Sequence, residues 1–204
     1  KIGPMLRTFA RGEDSSPVKV MNPAKADVDY VVKGIGNGLT APHDLECESD
    51  VKALVWLLSE SVAQRLRESR LRCRTISVGA RWARDLTGYS RQTTVRVPTC
   101  LTRDIANFAM GLLRANQPFD KDHALRAIHV RVTNLVPMDV PVQCDLFGDA
   151  AEVVRMERLD LAIDALRVRF GNTCVKRAVE LTDDVMSGLD IKRDNTVHPI
   201  GFLR

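Results

Sequence analysis

Arginine is the residue whose chemistry dominates this chain. Between Arg65 and Arg131 there are 14 basic residues against 5 acidic ones, and all but one of the 14 are arginines. A guanidinium is a rigid fork of donors that matches the oxygens of a phosphate. The surplus is local: residues 1–140 carry 21 Lys and Arg against 15 Asp and Glu, whereas residues 141–204 carry 9 against 11. A basic middle on a near-neutral remainder points to a polyanion partner, the alternative being a solvated basic face.

Residues that could do catalysis do not assemble into a site. The run GIGNG (34–38) lacks the full GxGxxG spacing and a GK[ST], and no helix starts directly after it. His43, His123, His129 and His198 are scattered, and the adjacent Asp183 and Asp184 read as a solvated helix end rather than a metal pair. Five cysteines (Cys47, Cys73, Cys100, Cys144, Cys174) are odd in number, far apart and never in a CxxC pair, which suits free thiols in a reducing cytosol better than disulfides or zinc. The expectation is no catalytic residue, no metal site and no cofactor within these residues. One apolar pair stands out elsewhere: Leu146 and Phe147 lie in what reads as a loop, between Pro141 and acidic neighbours.

The elements that must position the arginines follow from periodicity. The 204 residues, 45% hydrophobic and 27% charged, suffice for one sizeable core. No apolar run approaches the ~18 residues of a membrane span, and the N-terminus has no apolar signal core, so the expected location is cytoplasmic without membrane contact. The chain starts without Met in what looks like mid-helix, as in a fragment of a longer protein. Residues 1–12 read as a helix end stopped at Gly12, followed by a polar, Pro-containing linker. DYVVKGIGNGLT reads as a short strand running into glycines. ESDVKALVWLLSESVAQRLRES is a helix, capped by Ser49 or Asp50, with Val51, Leu54, Val55, Leu58, Val62 and Leu66 as one stripe.

RTISVGARW and YSRQTTVRV both alternate, and DLTG between them suits a turn, so they read as an antiparallel hairpin. TRDIANFAMGLLRAN is a second helix capped by Thr102, with Ile105, Ala109, Leu112 and Leu113 inward. LRAIHVRVTNLV is a last strand. Strand, helix, strand, strand, helix, strand is the split β-α-β order. It implies an α+β fold: a four-stranded antiparallel sheet with two helices on one face. The uncovered face then carries Thr75, Ser77, Gly79 and Arg81, then Ser90, Gln92, Thr94 and Arg96, then His129, Arg131 and Thr133. The Lys33–Gly36 run fits close approach of backbone to a ligand. Beyond Pro141, a third helix spans EVVRMERLDLAIDALRVRFG, with Val153, Met156, Leu159, Ile163, Leu166 and Phe170 as its stripe and Gly171 as stop.

Taken in order, these segments resemble the C-terminal part of Y-family translesion DNA polymerases, in the bacterial polymerase V-like branch. LRTFARGEDSSPV resembles the end of the thumb, and KGIGNGLT the K-S-I-G…T entry strand, with Gly34 in place of serine. VAQRLRESRLRCRTISVGAR and YSRQTTVRVPT resemble the helix and hairpin of the little-finger domain. LRAIHVRVTNL resembles its last strand, usually I-R-x-I-G-V-R-V, with His129 in place of glycine. LDLAIDALRVRFG and HPIGF resemble that branch's tail. The division implied is 1–28, end of thumb and linker; 29–137, little finger; 138–150, a loop; 151–204, a helical tail.

The resemblance implies a protein of DNA repair and the SOS response whose sheet clamps the primer–template duplex beside damaged template. The implied DNA contacts are Lys33, Gly34, Gly36, Thr75, Ser77, Arg81, Ser90, Gln92, Thr94, Arg96, Arg126 and Arg131. It also implies that the metal-binding carboxylates, with the Mg²⁺ that assists phosphoryl transfer, belong to a palm outside these residues. The chain alone, expected to be monomeric, should then extend nothing. QCDLF (143–147) resembles the pentapeptide, commonly Q-L-[SD]-L-F, by which bacterial polymerases bind the sliding clamp, with Cys144 replacing the first leucine. Gln143, Leu146 and Phe147 are the implied anchors. The alternative reading of the whole is a non-catalytic DNA-binding or scaffold protein with the same fold.

Overall fold

The computed structural model describes residues 2–17, 32–141 and 150–191. Expectations for residues 18–28, for QCDLF and for HPIGF fall outside these residues. The chain forms two compact units, Lys1–Val32 and Lys33–Arg204. In the first, helix α1 (Gly3–Ala10) begins with a proline in its first turn and stops before Gly12, whose φ of 70° is one that glycine adopts without penalty.

The second unit is built in the expected order: β1 (Gly34–Leu45), α2 (Glu48–Glu68), β2 (Leu71–Trp82), β3 (Gly88–Thr99), α3 (Thr102–Arg114), β4 (Leu125–Pro137) and α4 (Ala150–Phe170). The four strands form one sheet in the order β1-β4-β2-β3, with every neighbouring pair antiparallel. Strand β1 starts later and runs longer than its sequence suggested. The six stripe residues of α2 are fully buried, as are Ile105, Ala109 and Leu113 of α3; Leu112 is only partly covered. They pack on Ile35, Ile76, Val78, Ile128, Val130 and Val132 of the sheet, so both helices lie on one face. No helix among the described residues is long and apolar enough to cross a membrane.

Three local expectations fail. Cys47, not Ser49 or Asp50, is the N-cap of α2, and no side chain caps it; Asp50 instead places its charge in the first turn. Thr102 lies inside α3, whose N-cap is Leu101. On α4 the predicted stripe holds only in part. Met156 and Ile163 are half-buried, but Asp160 and Arg167 are the buried residues, and Val153, Leu159, Leu166 and Phe170 are between 42% and 60% exposed. Ionic partners on α2 and near the start of α3, described below, outweigh the apolar pattern.

Candidate nucleic-acid interface

The open face of the sheet is laid out in rows by strand register. Paired residues in an antiparallel ladder project to the same side. Across β1, β4, β2 and β3 the rows read Gly34, Thr133, Thr75, Thr94; then Gly36, Arg131, Ser77, Gln92; then Gly38, His129, Gly79, Ser90; then Thr40, Ala127, Arg81, Gly88. Of the residues the sequence placed on this face, all but Arg96 stand in these rows. Ser77 donates its hydroxyl to the Arg131 carbonyl at 3.0 Å, and Ser90 to the Val78 carbonyl at 3.3 Å.

Five expected contacts look different in place. Thr75 is 2% exposed, and its hydroxyl accepts from Asn134 Nδ2 at 2.8 Å and meets Thr94 Oγ1 at 3.4 Å, so it braces the strands. Arg96 is exposed but lies where the β2–β3 register shifts between Cys73 and Thr75, outside the rows. Arg126 lies at the β2–β4 register shift between Arg81 and Trp82 and donates to Asp44 Oδ1 at 3.1 Å. Gly34 and Gly36 do not leave bare backbone. A Cβ on Gly36 would come within 3.1 Å of Cβ and Cγ of Arg131, and one on Gly34 within 3.3 Å of its Nε. The glycines are the trough in which the Arg131 side chain lies. Lys33 is exposed just before β1.

On the helix side, Arg67, Arg72, Arg103 and Arg114 each meet a carboxylate, while Arg65 donates to the Gly36 carbonyl and Arg91 to Asn116. Arg81, Arg96 and Arg131 make no ion pair among the described residues. A guanidinium left without a carboxylate on an exposed sheet face is available to an external anion.

The model for the C-terminal domain of the impB/mucB/samB family matches residues 32–146, more than half of the chain. The chain belongs to that family. A DNA polymerase IV of Acetivibrio thermocellus is 39% identical over 90% of this chain and 44% of its own length. The DNA polymerase IV 2 of Halalkalibacterium halodurans is 32% identical over 87% of this chain and 41% of its own. This chain therefore spans less than half the length of these curated relatives. A solved complex of β-clamp processivity factor and the little finger domain of PolIV aligns with a TM-score of 0.43 at 18% identity, covering 56% of this chain and 99% of that one. The Y-family reading holds at the level of the family. The V-like branch does not: the relatives carry the polymerase IV name.

Behind the family domain, α4 is fastened by charge. Arg67 of α2 forks onto Asp164 at 2.6 and 2.9 Å and reaches Asp160 at 3.1 Å and the Cys100 carbonyl at 2.9 Å. Asp160 Oδ2 also accepts from the Thr102 amide at 2.9 Å, supplying from α4 the cap that α3 lacks in its own sequence. Glu60 is bridged by Arg167 and, at 2.6 Å, by Arg177, which stacks on Trp56. Sequence reading missed this cluster, because polar residues on a helix are ordinarily assigned to its solvent side.

Asp183 bonds His43 Nε2 at 2.5 Å and caps the one-turn helix Asp184–Ser187 through the amides of Val185 and Met186. Among the described residues no three His, Cys, Asp or Glu side chains group as metal ligands. Buried Cys73 and Cys100 are unpaired thiols pushed up to about 12 and about 11 by burial.

Burial, then the neighbouring Glu60 charge, pushes the Glu180 carboxyl up to about 7, partly offset by Arg167. The folded state therefore holds a proton that the unfolded chain releases near 4.5. Glu180 contributes stability that is full below 4.5 and is lost as pH rises toward 7. Glu180→Gln is expected to be stabilising relative to wild type at pH 8 by ~1–2 kcal/mol and near neutral at pH 4.5. Melting curves at both pH values check this; equal differences at the two would refute it.

Proposed function

We propose that this chain is the DNA-gripping C-terminal region of a polymerase IV-type translesion polymerase active in damage tolerance in the cytoplasm. The open sheet face lies along the primer–template duplex, and Gln143, Leu146 and Phe147 dock the enzyme on the sliding clamp. The observation that carries the DNA reading is the open face itself. Arg81 and Arg131 stand there without carboxylates beside Ser77, Ser90 and Gln92, while Arg67 and Arg72 are held by carboxylates of α4. The polymerase IV relatives support the reading. Synthesis on damaged templates, with Mg²⁺ and nucleotides, belongs to the intact enzyme; this chain contributes grip and positioning.

Titration of a fluorescein-labelled primer–template duplex with the 204-residue chain tests this. Binding should be sequence-tolerant and weaken steeply as salt rises, because phosphate contacts release counterions. Absence of binding at low salt would overturn the proposal.

A further inference from the structure

Two strand glycines leave a berth for His129. A Cβ on Gly79 of β2 would lie 1.8 Å from the ring Cε1 and 2.3 Å from Nε2, and one on Gly38 of β1 would lie 2.7 Å from the His129 Cβ. The imidazole thus rests over the β2 backbone at Gly79, in a row of its own. Arg131 stands one row to one side and Arg81 one row to the other. The residue is exposed, and its ring nitrogens make no hydrogen bond among the described residues. Beside it opens a concavity of about 650 Å³ whose lining includes Gly38, Thr40, Arg81, Ser90 and His129.

The groups facing the ring are all neutral or cationic. Its own strand presents Arg131 and β2 presents Arg81; β1 offers Gly38 and Thr40, and β3 offers Ser90 and Gln92. Burial against the sheet, then Arg81 and Arg131, holds the imidazole below its ordinary value, so the ring is neutral on the bare protein near pH 7. Three potential cations in adjacent rows, with no carboxylate among them, form a surface that only an anion completes. A phosphate seated there reverses the local field and favours the imidazolium, which then donates from a ring nitrogen.

The geometry points to His129 as a proton-linked contact to the phosphate backbone of a bound duplex, so that this chain holds DNA more tightly as pH falls. This rests on the DNA-binding reading above. Phosphodiesters do not titrate between pH 6 and 8, and Glu180, the carboxyl pushed up to about 7, belongs to a segment packed on α2 behind the sheet, so on the open face the window belongs to His129.

The test is anisotropy titration of the labelled primer–template duplex at pH 6, 7 and 8 and constant ionic strength. Wild type is expected to bind about five- to ten-fold tighter at pH 6 than at pH 8. His129→Gln should bind as wild type does at pH 8 but lose most of the gain at pH 6. His43→Gln, which alters the histidine paired with Asp183, should keep the gain. The His129 ring resonances should also titrate at a higher pH with DNA bound than without. A His129→Gln chain that retains the full pH dependence, or a His129 titration unmoved by DNA, overturns the inference and leaves the DNA reading intact. Failure of the wild type to bind at any pH overturns both.

Discussion

Leu146→Ala combined with Phe147→Ala is expected to lower affinity for a bacterial sliding clamp by about two to four decades and leave duplex affinity unchanged. Two apolar anchors worth ~1.5–3 kcal/mol each amount to roughly 3–6 kcal/mol, most of what a short peptide contributes. Pro137 at the end of β4 and Pro141 just beyond it favour an extended entry into the motif. An extended segment presents alternate side chains to a partner groove. Cys144→Leu restores the commoner residue and should tighten binding modestly. If Leu146 and Phe147 instead pack on α4, wild type shows no clamp binding and the double variant loses thermal stability. Calorimetric titration against purified clamp, paired with melting curves, decides between them.

The second large effect is on stability. Arg67→Leu leaves Asp164 without its guanidinium and Asp160, 3% exposed, with Arg177 alone at 3.3 Å. Removing one partner of a buried ionic cluster costs about 3–5 kcal/mol, because the remaining charges stay desolvated. That corresponds to a fall in Tm of about 6–20 °C for a chain of this size. The cap on α3 should fail with it, since Asp160 holds both Arg67 and the Thr102 amide. At temperatures where the variant stays folded, its duplex affinity should match wild type, because Arg67 lies on the helix side of the sheet. A Tm within 2 °C of wild type would show that the cluster is a wet, screened one.

These two experiments separate what the sequence made legible from what it did not. Period-2 alternation in RTISVGARW and LRAIHVRVTNLV assigned Ile76, Val78, Ile128, Val130 and Val132 to the core and Ser77, Arg81 and Arg131 to the open face. The coordinates place all of them there. Alternation works because a strand has only two sides. Arg96 and Arg126 escaped it: each lies at a register shift, which no local pattern announces. On α4 periodicity found only Met156 and Ile163 of the inward residues. Asp160, Asp164 and Arg167 read as a solvent stripe because their partners, Arg67, Glu60 and the Thr102 amide, come from distant segments. The glycines of β1 read from sequence as room for a ligand's approach, but their seating of Arg131 and His129 depends on which strand lies beside β1, and pairing β1 with β4 is a property of the whole sheet.

The account stands on the open face being the DNA interface, and the salt dependence of duplex binding tests that most directly. Arg81, Arg96 and Arg131 replaced together by alanine should weaken binding and flatten the slope of log K against log salt by roughly 2–3 units, as expected for about three lost phosphate contacts. Tm should move little, since none of the three makes an ion pair among the described residues. An unchanged slope in the triple variant, with the fold intact, would place the DNA elsewhere and contradict the account.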